Sequence, residues 1–362
     1  CPVEKLCEGA CVYNFMHEKP IQIARLQRYS TEKAMEQNWQ LFDRKPSIGK
    51  KVAIVGAGPA GLSCAHGLSR EGVDVTIFEK EEKGGGLMTY GIAAYKVTPE
   101  FCQEEVDYIT SIGGIDIKYG KELGINISLE KLRSEYDAVY LAYGVGLARQ
   151  LNIPGEDLSG VVDALKFIYD IRNDGYKSVS VGDEVVVIGM GMTAIDAATQ
   201  AKRLGAASVT MVYRRTQEEM PCTEHELNIA KLDGCKIIWL AAPIEVIGEN
   251  GQIKEVVFDE MALSEPDASG RRSPVKNGST FSLKADMLIK AAGQMPFEAL
   301  NDSMSLEHNY GKILVESGCK TNIQGVFAGG DNVNGGREVV DAVQAGKEAA
   351  AAMLREMLDV EC

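Results

Sequence analysis

The chain has 362 residues, of which 45% are hydrophobic and 25% charged, with a formal net charge of −14. This is the composition of a globular chain long enough for two or three domains. No apolar run approaches the roughly eighteen residues of a membrane span, no signal-peptide pattern is present, and the acidic balance argues against nucleic acid as a partner. Nine cysteines are an odd number, and Cys64, Cys102, Cys222, Cys235, Cys319 and Cys362 are scattered singly, which favours a reducing cytoplasm over a secreted disulfide framework. The four histidines, His17, His66, His225 and His308, lie far apart without zinc-site spacing.

The chain opens with CPVEKLCEGAC, three cysteines in eleven residues. Such spacing is open to a disulfide knot, a zinc site, an iron–sulfur cluster or a lipidated terminus. Residues 1–45 otherwise read as helical, and the polar breaker at Pro46–Lys50 marks a boundary. A βαβ unit follows in KKVAIVGAGPAGLSCAHGLSREGVDVTIFEK, where two β-branched runs flank a glycine turn and a segment of helical period. Short strands such as DAVYLAY occupy residues 115–145. A second unit of the same layout, DEVVVIGMGMTAIDAATQAKRLGAASVTMVYRR, makes an internal repeat, and two such units point to two dinucleotides. Residues 237–290 alternate strand and turn, with GENGQ (248–252) and the polar stretch near 264–280 as hairpin connections. Near the end GVFAGGD reads as a buried strand, and an alanine-rich helix follows in REVVDAVQAGKEAAAAMLREML.

The first glycine turn, Gly56-x-Gly58-x-x-Gly61, has the strand before it and the helix after it that the dinucleotide fingerprint requires. Gly56 permits the tight turn, Gly58 the approach of a pyrophosphate, and Gly61 close helix–strand packing. Pro59 and Ala60 open the helix, whose N-terminus offers amides to phosphate. Glu79, with Lys80 beside it, closes the second strand and is placed to accept hydrogen bonds from a ribose diol. Asp331, after Gly330, ends the GVFAGGD strand, and the helix begins near Glu338 and Val339. In two-dinucleotide flavoproteins an Asp at this place holds the ribitol chain, and a helix N-terminus stabilises the negative charge of reduced flavin. The stretch GGGLMTYGI (84–92), with Gly86, would let backbone lie against the flavin. The first site is therefore assigned to FAD.

The second turn, Gly189-x-Gly191-x-x-Ala194, encloses Met192 and Thr193 and keeps the fingerprint with its permitted alanine. Where an acid would follow the second strand, the chain has Tyr213, Arg214 and Arg215. Loss of the carboxylate and gain of a guanidinium pair favour NADPH, with NADH also open to the site. From chemistry alone, the three N-terminal thiolates demand a soft metal, and a cluster needs four donors. No Cys-x-x-Cys occurs, which excludes the dithiol of thioredoxin reductases.

GAGPAGL, VVVIGMGMTAIDAA, VYRRTQEEMP and FAGGD, behind a cysteine-rich N-terminus, together resemble the small flavoprotein subunits of glutamate synthase and the NAD(P)H-oxidising part of dihydropyrimidine dehydrogenase. The resemblance implies an α/β fold with two Rossmann-like dinucleotide-binding domains, the NADPH domain inserted in the FAD domain, preceded by a truncated helical iron–sulfur domain. The corresponding segments are 1–45 for the iron–sulfur remnant, 46–150 and 297–362 for the FAD domain, and 151–296 for the NAD(P)H domain. It also implies that Leu87, Lys96, Ala142 and Gly144 lie near FAD, and Ala292 and Gly293 where the nucleotides approach. The long gap from Cys1 to Cys7 and the Gln in IARLQRY are similar to the dihydropyrimidine dehydrogenase pattern. By that resemblance Cys1, Cys7, Cys11 and Gln27 hold one four-iron four-sulfur cluster. A second set of four cysteines that the family carries upstream is missing here, so the chain reads as a fragment with FAD bound and iron sites empty or damaged.

The implied activity is that of an FAD- and NAD(P)H-dependent oxidoreductase with no side-chain nucleophile. Hydride passes from NADPH to FAD, and electrons then go singly through clusters to a large FMN-containing catalytic subunit. The partner expected is that of dihydropyrimidine dehydrogenase, with the glutamate synthase large subunit as the alternative. A dinucleotide-binding sensor that does not turn over is the alternative of a different class.

Overall fold

The computed structural model describes residues 1–146, 148–267, 270 and 272–358. Cys362, Leu147 within the segment 46–150, and the last four residues of the segment 297–362 lie outside the described residues. After a 3-10 turn at Val12–Met16, the elements begin with α1 (Ile23–Glu36), β1 (Lys51–Val55), α2 (Pro59–Arg70), β2 (Asp74–Phe78), α3 (Leu87–Tyr90), α4 (Pro99–Thr110), β3 (Ile115–Lys118), α5 (Leu129–Glu135) and β4 (Ala138–Leu141). The middle of the chain carries β5 (Val161–Asp163), α6 (Ala164–Asp174), β6 (Glu184–Ile188), α7 (Met192–Arg203), β7 (Ser208–Tyr213), α8 (Glu224–Leu232), β8 (Lys236–Trp239), β9 (Ala241–Glu249), β10 (Gln252–Leu263), β11 (Pro274–Lys284) and β12 (Met287–Lys290). The last part holds α9 (Glu298–Ser303), β13 (His308–Asn309), β14 (Lys312–Ile313), β15 (Val326–Ala328), α10 (Asp331–Asn334) and α11 (Val339–Met357).

The chain divides into two compact units, Cys1–Thr89 with Val97–Gly146 and Met295–Cys362, and Tyr90–Lys96 with Leu147–Gln294. The first unit is built on a parallel sheet in the order β15-β4-β1-β2-β3. Its central strand β1 is buried from Val52 to Val55, and alternate residues serve different cores. Val52 and Ile54 pack with α2 and α11, whereas Ala53 and Val55 pack with Leu129, Leu132 and Leu306 on the other face. A parallel strand covered on both faces reads as a continuous apolar run, which is why KVAIV shows no alternation.

The alanine content of α11 has a packing cause. A Cβ on Gly346 would stand 2.3 Å from the Ala60 carbonyl oxygen, and one on Gly67 would stand 3.1 Å from the Ala350 Cβ. Small residues let α11 lie against α2, and the Ser63 hydroxyl donates to the Val343 carbonyl at 2.8 Å across that seam. A Gly346→Val variant is expected to lower the thermal midpoint by several degrees, since overpacking of this kind costs about 1–3 kcal/mol; differential scanning calorimetry reads it.

The second unit has its own parallel sheet, in the order β5-β12-β6-β7-β8. An antiparallel sheet β11-β10-β9 is added to it in sequence between β8 and β12. Asn250 and Gly251 turn the β9–β10 hairpin with φ of 53° and 80°, the pair of positive values that a two-residue loop matching strand twist requires. The next connection is shorter than its polar composition suggests. β11 already begins at Pro274, so only residues 264–273 form it, and 274–280 are strand because they pair with β10.

Residues 1–45 are less helical than their sequence suggests. Apart from the 3-10 turn, only Ile23–Glu36 forms a helix, and it buries Ala34 alone. Asp331 also differs from expectation. The strand ends at Ala328, and Gly330 with φ of 81° turns the chain so that Asp331 opens the short α10, while α11 starts at Val339 with Glu338 as its cap.

Candidate functional site

In the first unit the turn after β1 is one that only glycine can make. Gly56 has φ of 103°, and a Cβ there would be 2.4 Å from the Ala142 carbonyl oxygen; a Cβ on Gly61 would be 2.0 Å from the Gly56 oxygen. Gly58 caps α2 without a side-chain partner, and Pro59 occupies the first helical position, where its missing N–H costs nothing. Two further glycines come up to this end of the helix. A Cβ on Gly86, whose φ is 56°, would lie 2.9 Å from the Gly58 Cα, and one on Gly330 would lie 3.0 Å from the Ala60 Cβ. The positive end of α2 is thus walled by bare backbone from three parts of the chain, a cradle that a pyrophosphate fits and a side chain would fill.

Glu79 stands at the rim of that cradle and is 6% exposed. Its carboxylate accepts the Ala57 N–H at 2.7 Å on Oε2 and the Glu81 N–H at 2.9 Å on Oε1. Burial raises its carboxyl above the ordinary glutamate value, against the pull of those two amides. Each oxygen keeps a second lone pair, so the chemistry of the donor set still fits a ribose diol. Asp331 accepts the Arg337 N–H at 3.2 Å, and burial raises its carboxyl as well. Ala60 and Ala142 are buried, Lys80 and Leu87 are exposed, and Gly144 has φ of 69° with open space where a Cβ would be. Val339 is the first residue of α11.

The second unit repeats the turn with one change. Gly189 has φ of 131° and a Cβ on it would be 2.4 Å from the Ala291 oxygen, matching Gly56. At the third position Ala194 carries a fully buried Cβ where the first turn has Gly61. Gly191 caps α7 with open space beside it, and Met192 and Thr193 begin the helix half-buried. β7 ends at Tyr213, so Arg214 and Arg215 follow the second strand of this βαβ unit. Arg214 is exposed, and the buried Nε of Arg215 has no hydrogen-bond partner among the described residues. Ala292 and Gly293 are exposed after β12, and Gly293 has φ of 88°.

Sequence reasoning missed a charged cluster in this unit. Lys96 Nζ meets Asp196 Oδ1 at 2.6 Å and Glu226 Oε2 at 2.7 Å, and the three side chains are 22%, 5% and 12% exposed. Asp196 also accepts the Ala93 N–H at 2.9 Å, and the Tyr95 hydroxyl lies 3.2 Å from that of Thr199. Burial opposes the charge on Lys96, but the two carboxylates outweigh it and hold the ammonium above its ordinary value. Burial also pushes the Tyr95 phenol up to about 12. The available signal was an aspartate in the middle of AIDAATQ, a helix face otherwise made of small buried residues. The resemblance sets Lys96 beside the flavin; the structure commits its ammonium to these two acids. Lys96→Met is expected to cost about 3 kcal/mol, the size of leaving buried charge unpaired. The parent loses the lysine's contribution only as pH rises through its raised pKa, whereas the variant regains stability as acid protonates Asp196, whose carboxyl burial already raises; thermal melts across pH separate the two.

The three N-terminal cysteines lie on one short segment before α1. Cys1 is exposed, Cys7 intermediate and Cys11 buried, and no group of three His, Cys, Asp or Glu side chains placed to hold a metal occurs among the described residues. Gln27 is exposed on α1, with its main-chain carbonyl accepting the Thr31 hydroxyl at 3.2 Å. Three thiols on one short segment are the donor chemistry that a cluster takes. Local backbone bonds, such as Lys5 N–H to the Pro2 oxygen and Gly9 N–H to the Val3 oxygen, shape that segment.

Two glycine turns, each leading from a parallel strand into a helix of twelve residues, define a two-dinucleotide oxidoreductase. The family model described as pyridine nucleotide-disulphide oxidoreductase matches residues 50–346, and the chain belongs to that family. The model for dihydropyrimidine dehydrogenase domain II, with its 4Fe-4S cluster, matches residues 1–39. The glutamate synthase [NADPH] small chain of Escherichia coli is 35% identical over 97% of this chain and 78% of its own length. The NADP(+)-dependent formate dehydrogenase subunit beta of Moorella thermoacetica is 38% identical over 84% of this chain, which spans 43% of that protein. FprA from Mycobacterium tuberculosis, solved in complex with NADPH, shares the fold with a TM-score of 0.75 at 19% identity, over 87% of this chain and 85% of that one. The chain is therefore an FAD- and NADPH-dependent oxidoreductase with an N-terminal segment of the four-iron cluster type. Among the described residues no helix is long and apolar enough to cross a membrane.

Proposed function

We propose that this chain is the electron-input module of a larger cytoplasmic enzyme, taking hydride from NADPH and delivering single electrons to a partner subunit. The observation that carries this reading is the pairing of two dinucleotide turns with three cysteines in one chain. The Gly56–Gly61 turn, Gly86, Glu79, Gly330 and Asp331 hold FAD. The Gly189–Ala194 turn holds the coenzyme pyrophosphate, and Arg214 and Arg215 hold its 2′-phosphate. When bound, FAD accepts a hydride as an electron pair and gives electrons up singly, the exchange that an iron–sulfur cluster can follow. The protein contributes position and exclusion of water rather than an acid or base.

Two acceptors each have an observation behind them. A pyrimidine-reducing partner is favoured by the match of residues 1–39 to dihydropyrimidine dehydrogenase domain II. A glutamate-forming partner is favoured by whole-chain similarity to glutamate synthase small chains. Co-purification of the partner, followed by NADPH-dependent turnover of thymine or of 2-oxoglutarate with glutamine, decides between them. For the module itself, Cys11→Ser is expected to leave stopped-flow bleaching of the flavin by NADPH intact and to abolish transfer to the partner. Equal loss of both steps would place Cys11 outside the exit route.

A further inference from the structure

Arg214 and Arg215 sit in a chain with 52 acidic residues, yet neither has an ion-pair partner among the described residues. An acid is close at hand. Residues 217–219 form a single 3-10 turn directly after the arginines, and Glu219 is its last residue. Its carboxylate does not turn back on the guanidinium groups. Glu219 Oε2 accepts the Thr216 N–H at 3.1 Å and the Thr216 hydroxyl at 2.5 Å, so both donors of one residue hold one oxygen. That oxygen therefore lies a hydrogen bond away from the peptide nitrogen that joins Arg215 to Thr216. Arg272, on the 264–273 connection, is the cation that faces the same carboxylate. The Thr216 hydrogen bonds and that positive charge hold the Glu219 carboxyl below its ordinary value, so it stays ionised. The sequence pattern Thr-x-x-Glu is that of a capping box, but a turn of three residues needs little capping.

We propose that Thr216 is a specificity-determining residue: by sequestering Glu219 it keeps Arg214 and Arg215 free for the 2′-phosphate of NADPH. The inference rests on the assignment of that arginine pair to the phosphate. Without the Thr216 hydroxyl, Glu219 Oε2 keeps only the Thr216 N–H, and the carboxylate, four residues from Arg215, is freer to compete with the phosphate as an internal anion. The discriminating group is then a repulsive element held aside, which is a common way for binding sites to set preference. Glu218, exposed on the same turn and outside the Thr216 hydrogen bonds, provides a control of equal charge.

The test uses the whole flavoprotein and calorimetric titration with two probes, 2′,5′-ADP and 5′-AMP, so that it reads binding without turnover. Thr216→Val is expected to weaken 2′,5′-ADP about three- to fivefold, the size of an exposed ion pair, and to leave 5′-AMP unchanged. Glu219→Gln placed in the Thr216→Val background is expected to restore 2′,5′-ADP binding, and Glu218→Gln in that background is not. Unchanged 2′,5′-ADP affinity in Thr216→Val, or failure of Glu219→Gln to restore it, overturns the proposal while leaving the arginine assignment in place. If Arg214→Ala with Arg215→Ala leaves 2′,5′-ADP affinity unchanged, the phosphate assignment itself is overturned, and the role of Thr216 falls with it. A Thr216→Val protein that weakens both probes equally has lost local structure, and that result also counts against a specificity role.

Discussion

Replacing Arg214 and Arg215 together by alanine is expected to lower kcat/KM for NADPH about 100-fold and to leave that for NADH within about twofold. The reasoning starts at the end of β7, where other dinucleotide sites carry an acid that binds the ribose diol and repels a 2′-phosphate. Here two guanidinium groups follow the strand instead, one exposed and one with a buried Nε that lacks a partner among the described residues. A guanidinium forks onto phosphate oxygens through charge-assisted hydrogen bonds, each worth about 1.5–3 kcal/mol. Losing one such group's net contribution is a loss of about tenfold, and losing two gives the expected figure. NADH has no 2′-phosphate and makes none of these bonds, so its efficiency is the internal control. Steady-state kinetics with both coenzymes measures the ratio. An equal fall for both would assign the pair to folding, and no fall for NADPH would move the phosphate elsewhere in the second unit.

The parts of this protein that were legible in its sequence are those whose causes are local. Gly56, Gly58 and Gly61, and later Gly189, Gly191 and Ala194, lie within six residues of one another, and their spacing follows from one turn entering one helix. The Asn250-Gly251 hairpin is of the same kind, because two positive φ values in succession suit few residue pairs. What sequence did not reveal depends on contacts across long separations. Lys96 meets Asp196 and Glu226 a hundred and more residues away, so nothing near Lys96 in the chain announces the cluster. Asp331 looked like a strand end because GVFAGGD is apolar until the aspartate. The turn at Gly330, with its positive φ and close approach to Ala60, moves it onto α10. The N-terminal cysteines show the opposite case. Three thiols within eleven residues are plain to read, whereas a fourth donor outside that run has no local signal.

Glu79→Gln is expected to release most of the FAD, and the reason is visible in how the carboxylate is already used. Its two oxygens receive two backbone N–H groups, from Ala57 at 2.7 Å and Glu81 at 2.9 Å. Glutamine offers one oxygen and one NH2, so whichever way the amide sits, its NH2 faces one of those N–H donors. One buried donor loses its acceptor, which costs about 1–3 kcal/mol, and the Gly56–Gly58 turn loses its tether at Ala57. The ribose diol loses a charged acceptor at the same time, and hydrogen bonds to charged groups are the stronger class. Together these changes correspond to a weakening of about 100-fold or more in flavin affinity. The ratio of flavin absorbance to protein after gel filtration, with and without added FAD, measures it. Glu79→Asp separates the two effects. It restores the charge but withdraws the oxygens by one methylene, so it should recover less than half of the lost flavin if reach to Ala57 matters. Full recovery would instead show that charge at the ribose alone sets the affinity, and that the tether to the glycine turn contributes little.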